Sequence, residues 1–465
     1  MWSPNSPADS KRIGKMSVRV RPLLMIGAGL LGLVLTARSD APMQPSQVVH
    51  TDAAPPAAAS APSEHQSDTS TPALTLSECY RLALKRSEAI AIHRELLKAT
   101  EGRFLQAFGA ILPHASFDLS EKRQDGAGGS AFTLKEIPER KFFFTQPLFS
   151  GFKEFAAMAG SRAERRERLA EQRRAEQLLF ADVADAFHLL LEEREDAGAL
   201  QQMRIALTGR LDELKERGRL GRSRQSEIVS AETQLRRVEA EIERVRGQEI
   251  TARQLLEFLT GREQIGEIVN DVVELPAIGA EEACVAQASG RPDVQAAKEA
   301  RQVADKNIFV TQAKLWPTAN LESNYYTKRV GVTSGVDWDV TLKVDVPLFQ
   351  GGQAVGATQE AIAQARAAKL RAQQAERQAE LEIRGAYANW RTAVQRREAL
   401  AKALASAEEN YRLQTDDYRL SLVSNLDVLQ ALQALQDARR DVIHAQHEEQ
   451  RSYWHLTVAM GETLE

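Results

Sequence analysis

The sequence predicts a mainly α-helical chain that carries a pair of β-hairpins, built from one duplicated helix–hairpin–long-helix unit. Three observations support this: one strand that alternates without a break, two very long helical runs, and a motif that returns 200 positions later. The strand is Val336 to Val346, VDWDVTLKVDV. Val336, Trp338, Val340, Leu342, Val344 and Val346 fall on one face, and Asp337, Asp339, Thr341, Lys343 and Asp345 on the other. Alternation with period two is the mark of a strand. About 11 residues is what a tilted strand needs to cross a bilayer. A strand of a soluble sandwich has the same pattern, so the rest of the chain must decide.

The chain has 465 residues, of which 27% are charged and 6% aromatic, with long runs of Ala, Gln, Glu and Arg. That composition favours long helices. A formal net charge of −4 gives no argument for nucleic acid as a partner. After residue 40 no stretch is apolar for long enough to form a membrane-spanning helix. Any crossing by the mature chain must therefore be made by strands.

The first 41 residues read as an export signal. Lys11, Arg12, Lys15, Arg19 and Arg21 precede an apolar core, and Ser39-Asp40-Ala41 offers a cleavage site. Residues 42–73, rich in Ala, Pro, Ser and Thr, read as a disordered linker. Cys79 and Cys284 are the only cysteines, free to pair or not.

The first repeat is expected over residues 74–281. A helix over about 76–111 is stopped by Pro113. Strands follow at about 114–124 and 140–149, and the second ends in QPLFSGF. A helical run from about Lys153 to Arg217 would span roughly 100 Å. It turns at a tip near 218–224 and returns to about Thr260.

The second repeat, 282–461, has the same order: a helix to about 315, strands at about 317–327 and 336–346, a long run, a tip at about 418–424 and a last helix. Residues 462–465 form a tail. Pro147, Leu148, Phe149 and Gly151 match Pro347, Leu348, Phe349 and Gly351 at an offset of 200. Leu220, Glu227 and Ile228 align with Leu420, Asp427 and Val428 at the same offset. Two short helices end to end can flank each long one, with the hairpins at one pole and the helical tips at the other. Four strands cannot close a barrel, and open edges are not tolerated in lipid. Several chains must share one barrel, most economically as a closed ring.

The duplicated unit, the paired PLF-x-G motifs and the segment YRLSLVSNLDVLQA, Tyr418 to Ala431, resemble the TolC family of outer-membrane efflux and secretion channels over about residues 74–461. The resemblance implies a homotrimer. A twelve-stranded barrel in outer-membrane lipid would continue into a periplasmic α-helical barrel. It also implies a periplasmic adaptor protein and an inner-membrane pump, proton-driven or ABC-type, as partners. No cofactor and no enzyme chemistry are implied.

By the same resemblance, Asp427 would ring a periplasmic gate with cation-attracting charge. Gln430 stands where some relatives have a second Asp, and Glu227 is the repeat-related acid. Leu220, Gly221, Arg222, Leu420, Ser421 and Leu422 would form adaptor-contacting tips. Asp337, Asp339, Lys343 and Asp345 would line the barrel lumen, while Phe142, Phe144 and Trp338 would face lipid or neighbouring protomers.

His444 and His447, followed by Glu448, have a spacing that could touch a metal on a helix, against the plainer reading of a solvated face. His188 and His455 stand alone and give no signal. Two other functions share much of this pattern: an exit duct for type I protein secretion, and a soluble periplasmic coiled-coil adaptor or scaffold.

Overall fold

Two helices of 67 residues each dominate the chain: α3, Lys153–Arg219, and α7, Gln353–Arg419. At 1.5 Å per residue each runs about 100 Å. The structure is a computed structural model and describes residues 73–126, 128–270 and 275–463. The expected export signal and residues 42–72 lie outside the described residues. Among the described residues no helix is long and apolar enough to cross a membrane.

The order is α1 (Leu76–Arg86), α2 (Glu88–Gly109), β1 (His114–Arg123), β2 (Glu136–Phe149), α3, and α4 (Gln225–Thr260). The second half adds α5 (Glu281–Ala286), α6 (Pro292–Gln312), β3 (Thr318–Lys328), β4 (Trp338–Asp345), α7, and α8 (Asn425–Met460).

The helix expected over 76–111 is broken. Ser87 leaves helical geometry (φ −59°, ψ 117°), and its hydroxyl accepts the Ile90 N–H, starting α2 afresh. The helix expected over 282–315 breaks at the equivalent place. Arg291 (φ −58°, ψ 142°) precedes Pro292, which disfavours helical geometry at the residue before it. The two repeats thus reach one backbone bend by different chemistry, a capping hydroxyl and a proline.

The strands form one antiparallel sheet in the order β1-β2-β3-β4. The central β2–β3 pairing joins the two repeats, and β1 and β4 are left as edges. Compared with the expected spans, β2 starts earlier, at Glu136, and β4 is shorter. Asp337 lies just outside β4, although its carbonyl still accepts the Tyr326 N–H at 2.8 Å.

The PLF-x-G motifs turn strand into helix. Gly151 has φ 67°, and a Cβ there would meet Ala313 and Trp316 within 3.1 Å. Only glycine fits that approach.

Helix α3 is the hub, packed by α1, α2, α4, α6 and α8. Its partners form two apolar clusters. The upper contains Phe180, Phe187, Leu190, Leu256 and Trp454. The lower contains Leu207, Leu211, Leu214, Leu235, Leu429 and Leu432. A third holds Val294, Ile383 and Leu456. Cys79 and Cys284 are free and buried, in different clusters.

Candidate functional site

The sheet has two chemically opposite faces. Register places Phe117 opposite Phe142, Phe142 opposite Tyr325, and Tyr325 opposite Trp338. This aromatic row crosses all four strands on one face and is exposed along its length, with Phe117 and Phe142 rings 4.9 Å apart. Leu342 and Val344 continue the exposed apolar face along β4. Directly opposite pairs like these are the unit of sheet packing. Among the described residues nothing covers them.

The other face is polar. Asp339 accepts hydrogen bonds from Asn324 Nδ2 at 2.7 Å and the Tyr326 hydroxyl at 2.9 Å. Lys343 lies 3.6 Å from Glu322. Lys141 pairs with Glu139 at 3.3 Å, and Arg329 stacks on the Tyr326 ring. Of the four expected lumen residues, Asp339 and Lys343 therefore sit in a network of mixed charge. Asp345 ends β4 opposite Thr318. Lys141 and Arg329, which sequence reading passed over, offset the acidic surplus expected from Asp337, Asp339 and Asp345.

The helical tips share one design. At the first, Leu220 caps α3, Gly221 takes φ 69°, and the Arg222 N–H donates back to the Arg217 carbonyl at 2.8 Å. At the second, Leu420 caps α7, Ser421 takes φ 61°, and the Leu422 N–H donates to the Asp417 carbonyl at 2.9 Å. Both turns close orphan carbonyls through one left-handed residue. Leu220, Leu420 and Leu422 are each 70% exposed to solvent.

The two candidate gate acids sit at the third position of the returning helices. The Asp427 carboxylate accepts from the Ser424 N–H at 2.8 Å and its hydroxyl at 2.6 Å. Those bonds hold it below the usual carboxylate range. Glu227 accepts from the Ser223 hydroxyl at 2.6 Å and the Arg224 N–H at 3.3 Å. Each acid is thus a helix cap first, held in one orientation by its own loop. Gln430 is exposed, one turn along α8.

Sequence reading missed what ties the second tip down. The Tyr418 ring is buried against two guanidinium groups, Arg210 at 4.0 Å and Arg217 at 4.8 Å. Arg210 also donates to Asn425 Oδ1 at 2.9 Å, and Glu213 accepts from Arg210 at 2.7 Å and pairs with Arg217 at 3.1 Å. Arg210, Glu213 and Arg217 come from α3, Tyr418 from α7 and Asn425 from α8. At offset 200 Tyr418 corresponds to Gly218, so no periodicity pointed to this clamp.

The His444–His447–Glu448 spacing gathers nothing. His444 faces Glu192, Glu448 pairs with Arg396, and His447 turns toward α3. The solvated-face reading fails as well, because His447 is fully buried. Among the described residues no group of three metal-ligating side chains is assembled.

Residues 286–462 match the family model described as outer membrane efflux protein. Over that stretch the chain is similar to outer membrane efflux proteins. Outer membrane protein TolC of Vibrio cholerae is 23% identical over 313 residues, covering 64% of this chain and 72% of that protein. The fold extends further than the sequence match. The outer membrane protein VceC from Vibrio cholerae superposes with a TM-score of 0.74 at 20% identity, over 84% of this chain and 97% of its own. CusC, whose crystal structures concern transmembrane channel formation, superposes with a TM-score of 0.74 at 18% identity, over 83% and 92%. The fold shared with VceC and CusC thus spans both repeats, although the family model matches mainly the second.

Proposed function

We propose that this chain is the outer-membrane duct of a tripartite export system, conducting small molecules passively from periplasm to exterior. The observation that carries the reading is the sheet. It has an exposed aromatic face, a polar face and two open edges, β1 and β4, so it is complete only beside further copies. Three chains would close twelve strands, with the aromatic row toward lipid and the Asp339 network toward water. Helices α3 and α7 would extend the passage through the periplasm. Energy would come from an inner-membrane pump coupled through a periplasmic adaptor that meets the exposed leucines of the tips.

In this reading the passage closes at the second tip. Three Asp427 carboxylates would ring the axis, and the Arg210–Tyr418–Arg217 clamp would hold each tip against α3. Cation–π contacts of this kind contribute about 1–2 kcal/mol when partly desolvated. Opening would then require their release.

The test is single-channel conductance in planar bilayers. Asp427→Asn keeps a capping oxygen while removing the charge, and is expected to lose block by divalent cations. Arg210→Ala is expected to raise the open-state occupancy. Unchanged block and gating in both variants would remove the second tip as the gate. A purified mass near one chain in mild detergent would remove the shared barrel.

A further inference from the structure

A polar waist separates the two apolar clusters that bind α3 to α8. The upper cluster ends on α3 at Leu191, and the lower begins at Leu200. Between them Asp196 accepts Arg440 through both oxygens, at 2.6 and 2.8 Å. Glu192 is held by His444 at 2.5 Å and by Arg451. Glu193 is buried on the same turn of α3. Helix α4 adds Glu241, 3.1 Å from Arg440, and Arg244, which pairs with Glu241. On the α7 side, Arg397 pairs with Glu449 and Arg396 with Glu448.

Two imidazoles stand at the border between the upper cluster and this ring of charge. His188 of α3 and His447 of α8 are each 1% exposed, with ring centroids 5.9 Å apart. Among the described residues none of their four nitrogens makes a hydrogen bond. His447 Nε2 lies 3.3 Å from Glu195 Oε2, near enough for charge attraction but out of hydrogen-bond alignment. No ion pair reaches His188 among the described residues. Buried polar atoms left unpaired cost stability, so a pair of them at a helix interface calls for a role.

We propose that His188, buried against His447, makes this waist an acid-sensitive joint, where protonation of His188 separates α8 from α3 and releases the part of α8 that leads to the tip. A neutral imidazole is tolerated there. A charged one on His188 has no hydrogen-bond acceptor among the described residues; it faces His447 and the Arg451 cation, which the Glu192 carboxylate offsets only in part. Burial first, then those two neighbours, pushes His188 from its ordinary 6.5 down to about 3.

The joint therefore takes up its proton mainly when open. Opening is favoured as pH falls below 6.5, and the gain levels off near 3. By linkage between those two values, His188 alone raises the opened fraction on the order of 30-fold from pH 7.5 to pH 5. His444 works the other way. Its hydrogen bond to Glu192 raises its pKa, so its proton favours the closed joint as pH falls.

Hydrogen exchange of the full-length protein in mild detergent tests the joint, with rates corrected for intrinsic exchange at each pH. Protection of α8 amides over 432–447 is expected to fall between pH 7.5 and 5, by less than the roughly 30-fold of His188 alone because His444 opposes it. Amides of 180–187 in the upper cluster should keep theirs. The double variant His188→Leu, His447→Leu should lose the response, and His444→Gln should enlarge it. Equal protection at both pH values, or an undiminished response in the double variant, overturns the proposal. If the double variant does not assemble, histidine-selective NMR of the unaltered protein decides. His188 neutral at pH 5 in the closed form supports the joint, and imidazolium with α8 still protected refutes it. Conductance plays no part in this readout, so failure of the duct reading would be seen separately.

Discussion

Helices α3 and α7 have the same length and the same place in their repeats, yet they solve different packing problems. The buried positions of α3 include Phe180, Val183, Phe187, Leu190, Leu200, Leu207, Leu211 and Leu214. Those of α7 are nearly all alanine, from Ala354 through Ala393, with Ile383 and Tyr418 as the large exceptions. Helix α3 is surrounded, and α7 leans on α6 and α8 with its outer face open. Leu370 and Leu381 on α7 are each 64% exposed. Duplication therefore produced one hub and one edge. Small residues let α7 lie close to its neighbours, while its exposed leucines await another surface.

The sharpest test of that contrast is to truncate both helices. Phe180→Ala removes a ring packed between Tyr80 and Trp454 and is expected to cost about 3–5 kcal/mol. Leu381→Ala should cost under about 0.5 kcal/mol in the isolated chain. Denaturant unfolding in mild detergent measures both, and comparable losses would erase the hub–edge distinction.

A second test enlarges α7 instead. Ala379 is fully buried beside Ile383, so Ala379→Leu should cost about 1–3 kcal/mol by overpacking. A neutral result by the same measurement would mean that α7 packs loosely.

The strand-to-helix turns differ in the same sense. Gly151 abuts Trp316 and Ala313, whereas nothing lies within 4 Å of a Cβ placed on Gly351. Both have positive φ, so each glycine-to-alanine change pays about 1 kcal/mol in backbone strain. Gly151→Ala should cost roughly 1–2 kcal/mol more than Gly351→Ala, because neighbours must shift. Thermal melts of the two variants would show the gap, and equal melts would deny the close approach.

The smallest effect belongs to the tips. Gly221 and Ser421 hold the same left-handed position, one with a side chain and one without. Ser421→Gly is expected to stabilise by at most about 1 kcal/mol, and Gly221→Ala to destabilise by a similar amount. Exchange rates of the flanking amides resolve differences of that size.

Much of this plan was legible along the chain. The offset of 200, the alternating strands and the glycine turns are local patterns, and local patterns survive in a linear reading. The breaks at Ser87 and Arg291 were harder to see, since helical periodicity continues across both. Lys141 and Arg329 were missed because the polar face is assembled from four strands, and only register shows which charges meet. Tyr418 has no counterpart in the first repeat, so comparing repeats could not flag it. His188 read as a lone residue because its partner lies 259 positions away, on α8.

The sequence by itself determined the kinds of element, their lengths and their duplication. It also determined that four strands per chain leave a sheet unfinished. Periodicity, chain length and turn chemistry act over a few residues, and so they appear in the order of residues. Only the tertiary structure decided which long helix became the hub, which arginines grip Tyr418, and that two distant histidines share one buried waist. Those outcomes depend on which faces meet across separations of a hundred residues or more, and burial and charge pairing act only once those faces are in contact.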